Sequence, residues 1–208
     1  MAPAATSQRG RPAPAEIVER LLGHLRNGTT DLCPDLMPLE AGVFSDPAVA
    51  RAETELVFGR VPAIAAHSSE LDESHAYVAK RLPRNDVVMV RQADGSVRTF
   101  VNMCRHRGGR LVHDKAGSCR RFSCPYHGWS YETDGTLVSI TFPDSFGPAD
   151  KADLGLVELP TEERHGFVWV VDNPEATIDV EQWLGPEMDE LLGSYALDTL
   201  RSYQPRSF

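Results

Sequence analysis

Two short arms constrain this chain more than any other feature. Cys104-Arg105-His106 and Cys124-Pro125-Tyr126-His127 each set an imidazole two or three positions after a thiol, with residues 107–123 between the arms. Thiolate sulfur and imidazole nitrogen suit iron–sulfur centres or zinc, not magnesium or calcium. Two loop tips carrying two such ligands each can clamp one metal centre between them. A zinc finger ordinarily groups cysteine with cysteine and histidine with histidine. Mixed arms fit better a two-iron centre in which two thiolates hold one iron and two imidazoles the other. A Cys2His2 zinc module serving only as a scaffold is the alternative from a different class.

The other candidates are weaker. Cys119 lies between the arms but outside the ligand spacing and reads as a loop thiol, and Cys33 has no partner motif. His113 reads as a solvated loop residue. His24, His67, His75 and His165 read as surface or core residues. Four cysteines with no secretory signal fit a reducing, cytoplasmic setting, where such residues bind metal more often than they pair. No stretch approaches the ~20 apolar residues of a membrane span. The net charge of −9 argues against general nucleic-acid binding. Inside that acidic total, residues 98–121 hold Arg98, Arg105, Arg107, Arg110, Lys115, Arg120 and Arg121 against Asp114 alone. Conversely, residues 172–198 carry acids and neither Lys nor Arg. The basic stretch reads either as local ion pairs or as a docking surface for an acidic redox donor or a neighbouring subunit, steered by charge.

With 208 residues the chain accommodates one domain and flanks. The Ala/Pro/Arg-rich residues 1–15 read as a disordered tail. Residues 16–60 read as an N-terminal helical segment. It begins with a helix over 16–27, whose apolar stripe is Ile17, Leu21, Leu22 and Leu25. A second helix follows Ser45 as N-cap, with Pro47 in its first turn, and runs to Phe58. From 61 to 175 the pattern is mainly β. Strands are expected at 76–82, 86–92, 97–103, 120–123, 129–132, 136–141, 153–158 and 166–171, with turns at Asp94-Gly95 and Thr133-Asp134-Gly135. Residues 176–208 return to helix, over 179–194.

Beyond the ligand arms the chain resembles the Rieske 2Fe–2S domain of aromatic ring-hydroxylating dioxygenase alpha subunits. The resemblance rests on Cys104-Arg105-His106-Arg107-Gly108 and Cys124-Pro125-Tyr126-His127-Gly128-Trp129, with Val101-Asn102, Asp134-Gly135, and His165-Gly166-Phe167-Val168-Trp169. The helix Pro47–Phe58 running into Gly59-Arg60-Val61 adds to it, so that it covers residues 40–195. Pro62 departs from the family, which commonly has Trp there. The resemblance implies a mainly β, α+β overall, antiparallel Rieske fold with flanking helices. It also implies that Cys104 and Cys124 ligate one iron, and His106 and His127 the other. In high-potential respiratory relatives the positions of Gly109, Tyr126 and Trp129 hold two disulfide-forming cysteines and a serine whose hydroxyl bonds a bridging sulfur. Their replacement here implies a potential at the low end of the Rieske range, roughly −150 to +300 mV.

The resemblance further implies single-electron transfer from a ferredoxin or flavin reductase to a mononuclear non-haem Fe(II), in a homo-oligomer. That iron needs a 2-His-1-carboxylate triad, and His165 is the single histidine after His127. We therefore expect no catalytic residues in this chain: the second iron belongs to a full-length form whose catalytic domain would begin near residue 208. A stand-alone Rieske ferredoxin is the alternative within redox chemistry. The helical flanks count against it.

Overall fold

The structure, a computed structural model, describes residues 14–33, 35–146 and 150–203. The expected tail at 1–13 lies outside the described residues. Pro14 and Ala15, placed in that tail by the sequence pattern, instead open helix α1 (Pro14–Asn27), because proline is well suited to a helix start. The chain divides into two compact units, residues 1–43 and 44–208. In the first, α1 exposes Leu21 and Leu25 along its apolar stripe.

The second unit opens with α2 (Pro47–Glu53), which continues as a π-helical turn over Thr54–Phe58. Its N-cap is Asp46, not Ser45: the Asp46 carboxylate accepts the Ala48 N–H at 2.7 Å. Either residue type can cap, and the one directly before Pro47 does so.

Eleven strands follow among the described residues, all paired antiparallel: β1 (Ala63–His67), β2 (Ala76–Arg81), β3 (Asp86–Arg91), β4 (Val97–Val101), β5 (Ala116–Ser118), β6 (Arg121–Ser123), β7 (Ser130–Glu132), β8 (Leu137–Ser139), β9 (Glu158–Leu159), β10 (Thr161–Arg164) and β11 (Phe167–Val170). They form a five-stranded sheet in the order β5-β2-β3-β4-β9, a three-stranded sheet β1-β11-β10, and a small sheet β6-β7-β8. The β3–β4 and β7–β8 turns are built alike. Asp94 and Asp134 each accept the N–H two residues on, and Gly95 and Gly135 each follow with φ +88°. The strand expected at 153–158 is instead a 3-10 turn over Lys151–Leu154, capped by Asp150, and only the two-residue β9.

Strand β3 explains the architecture. Val88 and Val90 face one apolar cluster with Phe100, Leu111, Phe122, Trp129, Tyr131 and Leu137. Val87 and Met89 face another with Leu71, Val78, Leu159, Val168 and Val170. A central strand buried on both faces reads as a continuous apolar run because successive side chains alternate sides. The first cluster lies under the two ligand arms and includes Cys104 and Cys124.

Helix α3 (Val180–Ser194) closes the unit, with Asp179 as N-cap. Gly185 breaks it at φ +71° ahead of Pro186, so it is two short helical pieces. Asp189 on α3 takes a bidentate grip from Arg164 and a 2.6 Å contact from His165.

Candidate metal centre

The two arms are copies of one closed turn. In the first, the Cys104 N–H donates to the Gly109 carbonyl at 2.8 Å and the Gly108 N–H donates to the Cys104 carbonyl at 3.0 Å. In the second, the Cys124 N–H donates to the Trp129 carbonyl at 2.8 Å and the Gly128 N–H to the Cys124 carbonyl at 2.9 Å. Gly108 and Gly128 share a φ of +71°, the left-handed geometry that glycine adopts without Cβ strain. The histidine sits two residues after the cysteine in one turn and three after it in the other.

The sheets anchor both turns. β4 delivers the first, and the buried Asn102 pins its far end. Its side-chain carbonyl accepts the Leu111 and Val112 N–H groups at 3.2 and 2.9 Å, and its amide donates to the Val112 carbonyl at 2.8 Å. The β6–β7 hairpin carries the second turn. The turns meet tightly: a Cβ on Gly109 would lie 3.4 Å from Cys124 Sγ.

All four candidate ligands come together. Cys104 and Cys124 are buried neighbours, 1% and 4% exposed, and are not disulfide-bonded. The His106 and His127 rings lie 4.6 Å apart between centroids. Burial raises the Cys104 thiol pKa. Hydrogen bonds from Tyr131 and the His106 N–H oppose the rise, and the neighbouring Cys124 thiol adds to it. Burial lowers the His106 pKa, helped by His127 and Arg107, which favours the neutral, metal-binding imidazole. His106 Nδ1 is buried with no hydrogen-bond partner among the described residues, an orphaned ring nitrogen that fits metal ligation.

The donor set fits a divided centre. A two-iron cluster asks only for a thiol pair beside an imidazole pair.

Two residues near the ligands were not singled out for a role from the sequence. Tyr131, fully buried, places its hydroxyl 3.3 Å from Cys104 Sγ while accepting the Arg105 N–H at 3.0 Å. With that lone pair engaged, its proton is free to point at sulfur. Burial and the Cys104 thiol raise its pKa well above the ordinary tyrosine value, so it stays a donor. Phe146 packs edge-on against both His106 and Trp129, at 5.0 and 5.3 Å. Tyr126, His127, Thr141, Phe142 and Phe146 line an open cleft of about 400 Å³ beside His127.

The basic stretch divides. Arg98 pairs with Glu158, Arg110 with Asp86 and Arg121 with Glu132. Arg105, Arg107, Lys115 and Arg120 are exposed and make no ion pair among the described residues. Half of the acidic run is spent inside the chain: Asp172 accepts from Arg84 and Asn85, Asp179 caps α3, and Glu181 and Asp189 pair with Arg164. Cys119 packs against the core and Cys33 is exposed; neither joins the site. His113 is exposed, His75 lies in the turn before β2 and His165 in the β10–β11 turn.

Residues 62–158 match the model of the Rieske [2Fe-2S] domain. The chain is 35% identical over 168 residues to the alpha subunit of biphenyl dioxygenase from Metapseudomonas furukawaii, covering 74% of this chain and 36% of that one. It is 37% identical over 137 residues to the large oxygenase component of the naphthalene 1,2-dioxygenase system from Pseudomonas aeruginosa, covering 64% of this chain and 30% of that one. Among solved structures, a quaternary ammonium Rieske monooxygenase superposes with a TM-score of 0.68 at 31% identity, covering 74% of this chain and 41% of that chain. The chain spans about a third of the length of the curated relatives it matches. Among the described residues no helix is long and apolar enough to cross a membrane. Closed twin turns, paired thiols beside paired imidazoles and these relatives agree: residues 62–158 form a Rieske [2Fe–2S] domain, homologous to those of aromatic ring-hydroxylating dioxygenase alpha subunits.

Proposed function

We propose that this chain is the electron-transfer module of a ring-hydroxylating oxygenase alpha subunit, with Cys104 and Cys124 as ligands of one iron and His106 and His127 as ligands of the other. The observation that carries it is the pair of identically closed turns, which sets two buried thiols and two adjacent imidazoles against each other. The cluster supplies reversible one-electron storage. The chain's own residues tune and address it. Tyr131 offers its proton to Cys104 Sγ, a hydrogen bond that would tune the potential of a bound cluster. Asn102 and the two glycines hold the loop spacing. The unpaired Arg105 and Arg107 flank His106 and attract an acidic ferredoxin or reductase.

The acceptor in this reading would be a mononuclear iron, absent from this chain, that would activate oxygen. One solved relative is described in terms of inter-subunit electron transfer, and we place the protein in a homo-oligomer on that pattern. Thiolate ligands call for a reducing compartment, so the proposal includes residence in the cytoplasm.

The purified protein is expected to be brown and to give a rhombic EPR signal once reduced. Its midpoint should lie below about +100 mV, toward the low end of the Rieske range. A colourless protein holding stoichiometric zinc, or a midpoint well above that value, would overturn the reading. The donor face has its own test. Reversing both Arg105→Glu and Arg107→Glu should slow reduction by an acidic ferredoxin at least tenfold at low salt, with an unchanged cluster spectrum. Charge steering accounts for rate effects of 10–10³. Equal rates for the variant and the parent would remove these arginines from the docking surface.

A further inference from the structure

Two buried polar atoms in the paired turns have no hydrogen-bond partner among the described residues: His106 Nδ1 and Trp129 Nε1. The first is explained by ligation. The second is not. Trp129 is 3% exposed, and a buried N–H without an acceptor is rare in folded proteins. Trp169, the other buried tryptophan, shows the usual solution by donating its Nε1–H to the Arg164 carbonyl at 3.1 Å.

The surroundings of Trp129 restrict what the missing acceptor can be. Its indole lies parallel to the His106 ring, at 4.9 Å between centroids and 10° between planes. Phe146 stands edge-on against both rings, so that side offers carbon only. Cys104 and Cys124 belong to the same apolar cluster, yet neither accepts from Nε1; the hydroxyl partner of Cys104 Sγ is Tyr131. None of the described residues supplies an acceptor to Trp129 Nε1. A 2Fe–2S cluster held by the turns would bring acceptors of its own, since inorganic sulfides take hydrogen bonds.

We infer that Trp129 donates its Nε1–H to an inorganic sulfide of the bound 2Fe–2S cluster, acting as a positioning and tuning residue beside His106. This rests on the proposal that the turns hold such a cluster. Reduction adds negative charge to the cluster, and a fixed donor at sulfide stabilises the reduced form. Parallel stacking on His106 adds a mechanical part, because the indole face fixes the rotation of a ligand ring.

The test is spectroscopic. Protein carrying 15N-labelled tryptophan is reduced and examined by pulsed EPR for coupling between the cluster spin and an indole nitrogen. Coupling is expected in the parent protein and should vanish in Trp129→Phe. That variant should also shift the reduction equilibrium toward the oxidised form about tenfold, a midpoint lower by about 59 mV for one electron. If Trp129→Phe does not load a cluster, the parent spectrum alone decides. Trp169 is committed to a carbonyl and Trp183 is half exposed on α3. A loaded cluster with no tryptophan coupling overturns this inference and leaves the Rieske assignment standing. Failure to load any cluster in the parent protein overturns both.

Discussion

Replacing Cys104 with alanine is expected to abolish the visible absorption of the purified protein and cut its iron content to background, while the sheet signature in far-UV circular dichroism persists. The effect on the cluster is all-or-none because one iron would keep a single thiolate. Cys119 precedes β6, outside both turns, and packs against the apolar cluster. The fold survives because the second apolar cluster, from Leu71 through Val87 and Met89 to Val170, owes nothing to the turns. The turn itself is closed by backbone groups, Cys104 N–H to Gly109 and Gly108 N–H to the residue 104 carbonyl, which alanine retains. Some stability goes with the metal, since metal binding couples to folding. Cys119→Ala is the matched comparison and should keep full colour. Normal iron in Cys104→Ala, or its loss in Cys119→Ala, would refute the ligand assignment.

The ligand arms stand out in the sequence because chemistry fixes their residue types, and no packing arrangement can substitute for a thiolate. The central strands are legible for a related reason. Val87-Val88-Met89-Val90 is dense in β-formers, and Asp94-Gly95 punctuates it. What escapes the sequence depends on distant partners. β1 is the alanine-rich segment Ala63-Ile64-Ala65-Ala66-His67, whose strand character comes from pairing with β11 about a hundred residues later, Ala63 opposite Val170. β10 is Thr161-Glu162-Glu163-Arg164, which reads as a charged loop. It is an edge strand whose acids are used, Glu163 on Arg91 and Glu162 on the Val180 N–H.

The site was incomplete for the same reason. Tyr131 looks like an ordinary core aromatic on β7. Its role exists only because the fold brings the Arg105 N–H and Cys104 Sγ to its hydroxyl. The expectation of a potential lowered by too few hydrogen bonds to sulfur is therefore softened by one donor, and by a second if Trp129 contributes. The charge runs show the opposite lesson. Sequence counts a basic collar and an acidic tail, but ion pairs take up three of the seven cations, and the arginines flanking His106 make none among the described residues.

Gly166→Ala carries the largest stability loss we expect outside the ligands. His165 and Gly166 form the two-residue loop between β10 and β11, where Arg164 pairs with Phe167. Both have positive φ, +51° and +77°, as a type I′ hairpin turn demands. Alanine there meets the left-handed penalty, about 1 kcal/mol. It also meets backbone. Its Cβ would lie 2.6 Å from Asp198 N, 2.7 Å from Leu197 C and 2.8 Å from Asp198 Cα. That segment cannot retreat freely, because the Leu197 carbonyl sits 3.1 Å from His67 Nε2 and Arg201 pairs with Asp72. Forced overpacking of this kind costs ~1–3 kcal/mol more. The sum is about 3 kcal/mol, or roughly 6–12 °C in Tm for a protein of this size. Gly95→Ala separates the two contributions. Gly95 has φ +88° and nothing within 4 Å of an added Cβ, so it should lose only about 1 kcal/mol. Equal losses for the two variants would mean that the 197–198 segment yields without resistance, and that the β10–β11 turn does not brace it.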